Sequence, residues 1–486
     1  MTSVTVNLPI GDDENRLINR LLAEIHKKAL RNRLRASYYD QKQALSRMRI
    51  GSVVPPEYLR LGIVLGWSAK AVDILARRCN LDAFVWPDGD LDSLGWRQVW
   101  DDNSFATESN SGMVSSLIHS VSFLINTVGT EGEPGSLIHV KDALNATGDW
   151  NARTRRLDNL LSVTGRDDER NPTGLVLYLN GKTIDARKDQ GKWSVEVTEH
   201  PWGVPAEPLV YRPRAGRPFG SSRISRAVMS LQDRATKACL RMEGHADVYS
   251  IPQMIINGAG ENAFKNPDGS IDPKWKIAMG RIFMLPDDED APPGLERAEI
   301  KQFQAASPAP HIDMLKQVAQ MFSGETSIPL SSLGVSDMSN PTSAESYIAS
   351  REDLIAEAEG ATDDWAPAFR RTMIRALAIA NGEDGVPAEW STIDAKFRSP
   401  LYLSRAAQAD AGLKQLTAAP WLAETEVGLE LLGLDDQQIQ RAMAEKRRVR
   451  VSSLMDRLMA DSPTISDVAE ADSDAVGNVA VSRPAV

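Results

Sequence analysis

The clearest indication of the architecture of this chain lies in residues 220–249, GSSRISRAVMSLQDRATKACLRMEGHADVY. Ser221 or Ser222 is a natural helix N-cap, because a serine hydroxyl accepts a hydrogen bond from an orphan backbone amide. Apolar residues then recur at intervals of four, three and four, at Ile224, Val228, Leu231 and Ala235. The spacing predicts one amphipathic helix. Over residues 222–249 it would be about 40 Å long at ~1.5 Å per residue.

A smaller unit follows this helix. Residues 252–258, 281–285 and 298–303 predict three short strands, separated by polar loops rich in proline and glycine. A second helix is predicted over residues 311–322, with its apolar residues on one face. The sequence therefore predicts a β-rich module inserted between two helices. If those helices pack antiparallel, the two ends of the module must lie close together.

The residues before 220 begin with predicted helices. Apolar residues near helical spacing predict one long helix or two stacked helices from Asp12 to about residue 50, with ten Lys/Arg and five Asp/Glu. A second helix is predicted over residues 57–79, after Pro55-Pro56. Two more helical runs are predicted within residues 92–126, the second extending through Val121 and Leu124.

Strands follow these helices. Residues 137–140 predict a short strand, and residues 174–180, 182–187 and 192–199 predict a meander joined by Asn180-Gly181 and Gln190-Gly191. Asn-Gly indicates a type I′ hairpin turn, in which both central residues have positive φ. The first two hundred residues are therefore predicted to be α+β.

The chain after the helix predicted over residues 311–322 is predicted to be mainly helical. Residues 323–341 form a polar loop, and Thr342-x-x-Glu345 is a capping box that starts a helix running to about Ala380. Shorter helices are predicted over residues 404–417, 425–432 and 435–459. The segment from residue 461 onward has no aromatic residue and is predicted to be a disordered acidic tail.

Composition excludes several classes of protein. The 486 residues carry a net charge of −11, which disfavours a nucleic-acid binder of the usual basic kind. The two cysteines, Cys79 and Cys239, belong to no metal-binding cluster and are consistent with a reducing compartment. No signal-peptide pattern and no apolar run near 18 residues is present, so we expect neither secretion by a standard signal nor a membrane span.

Enzyme motifs are missing from the sequence. Gly181-Lys182-Thr183 resembles the end of a P-loop, but Val176 stands where that motif requires glycine. No nucleophile elbow and no His-Glu-x-x-His motif occurs, and the six histidines are scattered singly. We therefore expect no catalytic residue, no cofactor and no metal, and we interpret the basic run at residues 446–450 as a solvated helix face.

The order of several short motifs is more specific than any one of them. The motifs are Val204-Pro205-x-x-Pro208-Leu209-Val210, Gly220-Ser221-Ser222-Arg223-Ile224, ADVYSIPQMIING at 246–258, Thr326-Ser327-Ile328-Pro329, Leu333-Gly334 and Asn340-Pro341-x-x-Ala344-Glu345. Together they resemble the portal proteins of tailed bacteriophages, in particular those of long-tailed phages that infect actinobacteria. The resemblance covers roughly residues 55–460.

The resemblance implies an α+β, predominantly helical portal fold that forms a ring of about twelve copies. It implies a wing over residues 1–220, a first stem helix over 221–249, a clip over 250–309 and a second stem helix over 310–324. A tunnel loop over 325–341 would approach DNA. A long wing helix over 342–380, crown helices over 381–460 and the acidic tail over 461–486 would complete the chain.

The resemblance also implies a function that involves no catalysis. The ring would stand at the unique capsid vertex, where double-stranded DNA is packaged by a terminase motor and later ejected, and where head–tail adaptor proteins attach. Net negative charge suits such a channel, since each neutralised phosphate would add friction. The protein would be a virion component, present in the host cytoplasm during assembly, with terminase large subunit, major capsid and scaffold proteins as further partners and no membrane.

Two sets of residues are candidate sites within this interpretation. The tunnel-loop candidates are Ser336, Asp337, Met338, Ser339 and Asn340. The candidates for docking terminase on the clip are Asp287, Asp288, Glu289, Asp290, Glu296 and Glu299.

Two alternative functions remain open from the residues alone. One is an adaptor or scaffold that binds partners without ring symmetry and stays a monomer or dimer. The other is a metal-dependent nuclease that uses Asp287, Asp288 and Asp290, because carboxylate oxygens are the ligands that Mg²⁺ prefers.

Overall fold

The computed structural model describes residues 5–42, 63–249, 254–257, 299–302, 307–335, 351–402 and 405–460. The chain divides into two compact units, Met1–Pro400 and Leu401–Val486. The helices of the first unit are α1 (Asp12–Tyr39), α2 (Trp67–Ala76), α3 (Trp96–Asp102), α4 (Phe105–His119), α5 (Arg226–Tyr249), α6 (Ala309–Thr326) and α7 (Glu352–Ala380).

Twelve strands form four antiparallel sheets in the described part of this unit. β4 (Ala146–Asn151), β5 (Arg156–Arg166), β6 (Pro172–Leu179), β7 (Lys182–Asp189) and β8 (Lys192–Glu199) form a five-stranded meander. β3 (Ser136–Asp142), β2 (Val121–Val128) and β9 (Ala206–Val210) form a three-stranded sheet in that order. Two strand pairs join β1 (Leu81–Val85) to β12 (Asp394–Phe397) and β10 (Met254–Asn257) to β11 (Glu299–Gln302).

The two larger sheets are stacked between helices. One face of the five-stranded sheet packs its apolar side chains against α1, with Ile18 and Leu21 of the helix meeting Leu161 and Leu177 of the sheet. The opposite face, with Leu160 and Tyr178, packs against Phe123 and Ile125 of the three-stranded sheet. Alternate residues of a strand point to opposite faces, and this period of two puts neighbouring leucines into different cores.

The other face of the three-stranded sheet covers the largest core. Leu124 and Leu209 point away from the five-stranded sheet and pack with Phe105 of α4 and Phe369 of α7. All four side chains are fully buried. The body therefore has the layer order α1, five-stranded sheet, three-stranded sheet, and then the helices α4 and α7.

The predicted meander is present, but its two turns differ from each other. Gln190 and Gly191 have φ of 46° and 84°, so both central residues are left-handed, as a type I′ turn requires. At the Asn180-Gly181 turn only Gly181 has positive φ, at 74°. Gly181 also donates to the Gly203 carbonyl and accepts from the His200 amide. Asn180-Gly181 was the stronger sequence signal for a type I′ turn. Hydrogen bonds to residues outside the hairpin accompany a different turn geometry there.

Other sequence predictions were wrong in detail. Val121 and Leu124 lie in β2 and not in a helix, because α4 ends at His119 and Ser120 takes a left-handed φ of 84°. The helix predicted from residue 57 is α2, which begins at Trp67; residues 43–62 lie outside the described part. The hairpin between β6 and β7 is present as predicted, with Asn180 and Gly181 in the turn and Lys182 as the first residue of β7.

The second unit contains three α-helices among its described residues, α8 (Arg405–Ala418), α9 (Glu426–Leu431) and α10 (Asp436–Ala460). Each lies within two residues of its predicted bounds. The basic run at 446–450 is exposed on α10, and Lys446 donates to the Glu424 carbonyl at 2.8 Å. Across the described ranges of both units, every helix is too short or too polar to cross a membrane.

Candidate functional site

The long helix predicted from residue 222 is present as α5, and it packs against α6. At one end of the pair, the Ser225 hydroxyl just before α5 lies 3.2 Å from the Glu325 carboxylate near the end of α6. At the other end, the rings of His245 and His311 meet edge to face, with centroids 5.4 Å apart. The start of each helix therefore lies beside the end of the other, and the two helices are antiparallel.

One half of this helix pair is embedded in a core and the other half is not. Val228 and Leu231 of α5 pack with Val318 and Phe322 of α6, and the Phe322 ring lies 5.4 Å from that of Trp67. The residues of α6 before Val318 are exposed or half-buried. Large apolar side chains exposed on α6 are Ile312, Met314 and Met321.

A strand pair lies at the far end of the helix pair. β10 follows α5 and β11 precedes α6, and the two strands pair antiparallel in register from Met254↔Gln302 to Asn257↔Glu299. The chain therefore leaves and returns at one point, as expected for a module between antiparallel helices. Of the six predicted clip residues, Glu299 is the first residue of β11; Asp287, Asp288, Glu289, Asp290 and Glu296 lie outside the described residues.

The predicted tunnel loop begins at the near end of the helix pair. α6 ends at Thr326, and Ser327 takes a left-handed φ of 55° that turns the chain. A short 3-10 helix, Leu330–Leu333, follows and packs Leu333 into the core of the helix pair. The five candidates Ser336, Asp337, Met338, Ser339 and Asn340 lie outside the described residues, as does the capping box.

The junction between the helix pair and the layered body is organised by one buried arginine. Arg223, three residues before α5, is 5% exposed. Its guanidinium donates to the carbonyl of Ala71 on α2, and at 2.7 Å to the carbonyl of Thr326 at the end of α6. Its own backbone amide donates to Leu117 of α4. One residue, through its side chain and its backbone amide, thus ties the helix pair to two helices of the body.

A carboxylate on α7 neutralises this arginine. Glu357 pairs with Arg223, accepts from the Tyr211 hydroxyl, and pairs with Arg212 at 2.6 Å. Burial lowers the pKa of Arg223, but Tyr211 and Glu357 outweigh burial and raise it. Burial also raises the pKa of Tyr211 to about 12, so the phenol is a neutral donor at physiological pH. The buried charge is therefore paired, as buried charges must be.

A second buried ion cluster anchors α7 to the three-stranded sheet. Glu207 on β9 is 2% exposed, and it pairs with Arg371 at 2.7 Å and Arg375 at 2.8 Å. Arg375 also donates to the Asn126 side chain at 3.1 Å. α7 is thus fixed to the body at two points, and Glu357 is held where Arg223 can reach it.

Three arginines that are close in sequence are separated by the fold. Arg223 is buried at the junction and Arg212 is mostly exposed beside Glu357, whereas Arg217 lines a separate cavity described below. Arg223 belongs to the helix-start motif of the sequence, whereas no sequence pattern indicated a role for Glu357. A lone acid on an amphipathic helix carries no sequence signal of a distant partner.

Comparison with known proteins gives the class to which this architecture belongs. The family model described as phage portal protein, SPP1 Gp6-like, matches residues 18–450. The chain belongs to this family of structural proteins, which confirms the resemblance seen in the short motifs.

Two curated relatives agree with this family. The portal protein of Mycobacterium phage L5 is 26% identical over 388 residues, covering 78% of this chain and 77% of that protein. The portal protein of Mycobacterium phage D29 is 26% identical over 397 residues, covering 79% and 78%. The agreement with phages of an actinobacterial host matches the expectation from the sequence.

Similar solved structures come from gene transfer agent (GTA) particles. The neck of an empty GTA particle computed with C6 symmetry is 14% identical, with a TM-score of 0.42, and covers 81% of this chain and 94% of that chain. The virion of a native GTA particle gives 14% identity and a TM-score of 0.38, covering 76% and 90%.

Proposed function

We propose that this portal protein assembles into a closed ring of about twelve copies, with α5 and α6 as its stem and β10 and β11 as the base of its clip. The observation that carries the proposal is the antiparallel helix pair with a strand pair at its far end. A ring needs a heterologous interface whose rotation closes. The exposed apolar side chains of α6 supply such an interface: Ile312 and Met314 lie in the half of the helix pair that the body leaves uncovered, and Met321 lies on the exposed face of the other half.

In this proposal the ring is a conduit and not an enzyme. Double-stranded DNA passes along the ring axis, with the residues 336–340 approaching it, during packaging by a terminase and later during ejection. The acids Asp287, Asp288, Glu289, Asp290, Glu296 and Glu299 form the terminase-docking surface of the clip. The major capsid protein, scaffold and head–tail adaptors contact the outside of the ring, in the host cytoplasm during assembly and then in the virion.

The mass of the purified chain in solution tests the ring. We expect particles of about twelve times 53.2 kDa with a central hole in negative stain, alone or with scaffold and capsid protein. Substitution of both Met314 and Met321 by Asp should abolish these particles, while Gln320→Asp on the same helix should not. A monomer or dimer that persists with scaffold present would support the adaptor and contradict the ring.

Binding of the terminase large subunit tests the clip. The triple variant Asp287→Asn, Asp288→Asn and Asp290→Asn should weaken binding to the ring at least tenfold, with its mass unchanged. The triple variant Asp88→Asn, Asp101→Asn and Asp102→Asn, which removes three charges from exposed positions outside the clip, is the matched control. Mg²⁺-dependent DNA cleavage that the triple variant loses would instead establish the nuclease.

A further inference from the structure

A cavity of about 240 Å³ lies between α1 and the edge of the three-stranded sheet. Its cationic lining comes from three places that are distant in sequence: Lys28, Arg31 and Arg35 on α1, His119 at the end of α4, and Arg217 in the loop after β9. The lining contains no carboxylate. Four permanent positive charges therefore surround a cavity of the size of a small solute.

Carboxylates in the neighbourhood of these cations are already engaged. Glu24 pairs with Lys28 at 3.4 Å, and Asp40 pairs with Lys42 at 3.3 Å. Asp142 accepts from the backbone amides of Leu144 and Asn145 and from the Asn145 side chain. Within the part of the chain that the structure describes, Arg31, Arg35 and Arg217 have no ion-pair partner.

Arg35 is the most enclosed of these cations. Its guanidinium donates to the His119 carbonyl at 3.3 Å, which leaves most of its five N–H donors for another acceptor. Burial lowers the pKa of Arg35 to about 10, and repulsion from Arg31 and Arg217 adds to this decrease. The three guanidinium groups are thus close enough to repel one another, and a bound anion would remove that repulsion.

Two polar atoms in the lining lack a partner. The residues Asn32 and His119 are 3% and 6% exposed, yet Asn32 Oδ1 and His119 Nδ1 make no hydrogen bond to the described residues. Buried polar atoms are normally paired with protein or an ordered molecule. A hydrogen phosphate has oxygens that accept from Nδ1–H of His119 and from guanidinium groups, and an O–H that can donate to Asn32 Oδ1.

We propose that this cavity binds a small phosphate compound, held by Arg31, Arg35 and Arg217 with His119 and Asn32. The planar guanidinium fork matches two phosphate oxygens at once, and such charge-assisted pairs are strong. A single carboxylate would neutralise only one of the surrounding charges, whereas a phosphate dianion neutralises up to two. Duplex DNA is too wide to enter the cavity. The proposal does not depend on ring formation.

Calorimetric titration of the full-length protein with inorganic phosphate, at constant ionic strength set by chloride, tests the site. We expect saturable binding of about one phosphate per chain. Arg217→Gln should weaken it at least tenfold; because this side chain is exposed, the variant should fold normally. Arg35→Gln should have a similar effect, and Arg153→Gln, which removes the same charge from an exposed turn, should have none. Sulfate should bind more weakly, since it carries no O–H group at neutral pH.

Three results would overturn the proposal. The first is heat that does not saturate, or that is equal in the wild type and Arg217→Gln. The second is a short DNA duplex that binds in an Arg217-dependent way while inorganic phosphate does not. The third is a change in particle mass on Arg217→Gln with phosphate affinity unchanged, which would assign the cavity to an acidic side chain of a neighbouring copy.

Discussion

The guanidinium of Arg223 and the carboxylate of Glu357 form an ion pair whose side chains are only 3% and 8% exposed. They lie 134 positions apart, one just before the long helix α5 and the other on α7. Because Arg223 also donates to the carbonyl groups of Ala71 and Thr326, this pair fixes the base of the helix pair to the body. Loss of this ion pair should therefore weaken the whole attachment of the helix pair to the body, and not only the contact between these two residues.

Glu357→Gln should lower the free energy of unfolding by about 3–5 kcal/mol, because it leaves the buried guanidinium of Arg223 without its counter-charge. Urea denaturation followed by tryptophan fluorescence measures the effect. Glu359→Gln, two positions away on the exposed face of the same helix, should change it by less than ~0.5 kcal/mol.

A double-mutant cycle separates the pair from its surroundings. Arg223→Met combined with Glu357→Gln should destabilise the protein by about 1–3 kcal/mol less than the sum of the two single variants. Additive effects in this cycle would show that the two charges do not interact across the junction.

Gly220→Ala should also disturb the junction. Gly220 has φ of 65°, and a Cβ at this position would lie 2.1 Å from the Tyr211 carbonyl oxygen. We expect a loss of more than ~2 kcal/mol, since the left-handed conformation alone costs an alanine about 1–2 kcal/mol. Thermal unfolding measures it. Gly216→Ala, where the space is open and φ is not in the left-handed range, should leave the midpoint within about 2 °C.

The two faces of α6 should respond very differently to truncation. Phe322 is fully buried against Trp67, so Phe322→Ala should cost about 3–5 kcal/mol through lost burial and an unfilled cavity. Its neighbour Met321 is 50% exposed, and Met321→Ala should cost less than ~1 kcal/mol in the isolated chain. Equal costs in urea denaturation would contradict the packing of the helix pair.

The link between α1 and β4 should make stability depend on pH in the acid range. Arg20 donates to Asp149 at 2.9 Å and lowers the pKa of that carboxyl, against the opposing effect of burial. A carboxyl whose folded pKa lies below its unfolded value of about 3.8 stabilises the protein above that value. This contribution is lost as pH falls through the folded pKa.

Asp149→Asn should therefore lower the unfolding midpoint near neutral pH, and the difference from the wild type should shrink below about pH 4. Unfolding midpoints from about pH 7 to pH 2.5 measure this trend. Asp168→Asn on an exposed turn is the control and should show no such difference. A difference for Asp149→Asn that stays constant with pH would contradict the ion-pair assignment.

Local patterns predicted the helices better than the strands. The spacing from Ile224 to Ala235 was sufficient for α5, because one amphipathic period is encoded within the helix itself. Val121 and Leu124 fitted a helical period equally well, yet they lie in β2, where neighbouring strands and helices cover both faces. A strand buried on two sides has no alternation to distinguish it from a helix.

Pairings between residues far apart in the chain could not be predicted from the sequence. β1 pairs with β12 across more than three hundred positions, and no local sequence pattern around Leu81 or Phe397 indicates that the two residues are partners. The same is true of Arg223 and Glu357, and of Arg35 and Arg217, which meet only through folding. The family could nevertheless be predicted, because the order of short motifs is visible in the sequence even though the long-range residue pairings are not.

The in-register pairing of Asn257 with Glu299 has a consequence for how such chains diverge. The chain leaves the helix pair and returns to it at this one strand pair. Insertions or deletions between Asn257 and Glu299 therefore leave the register of α5 against α6 unchanged. Selection can thus lengthen, shorten or exchange the segment between these positions to suit a new partner. The helices that carry it can meanwhile keep the same residues in the same contacts.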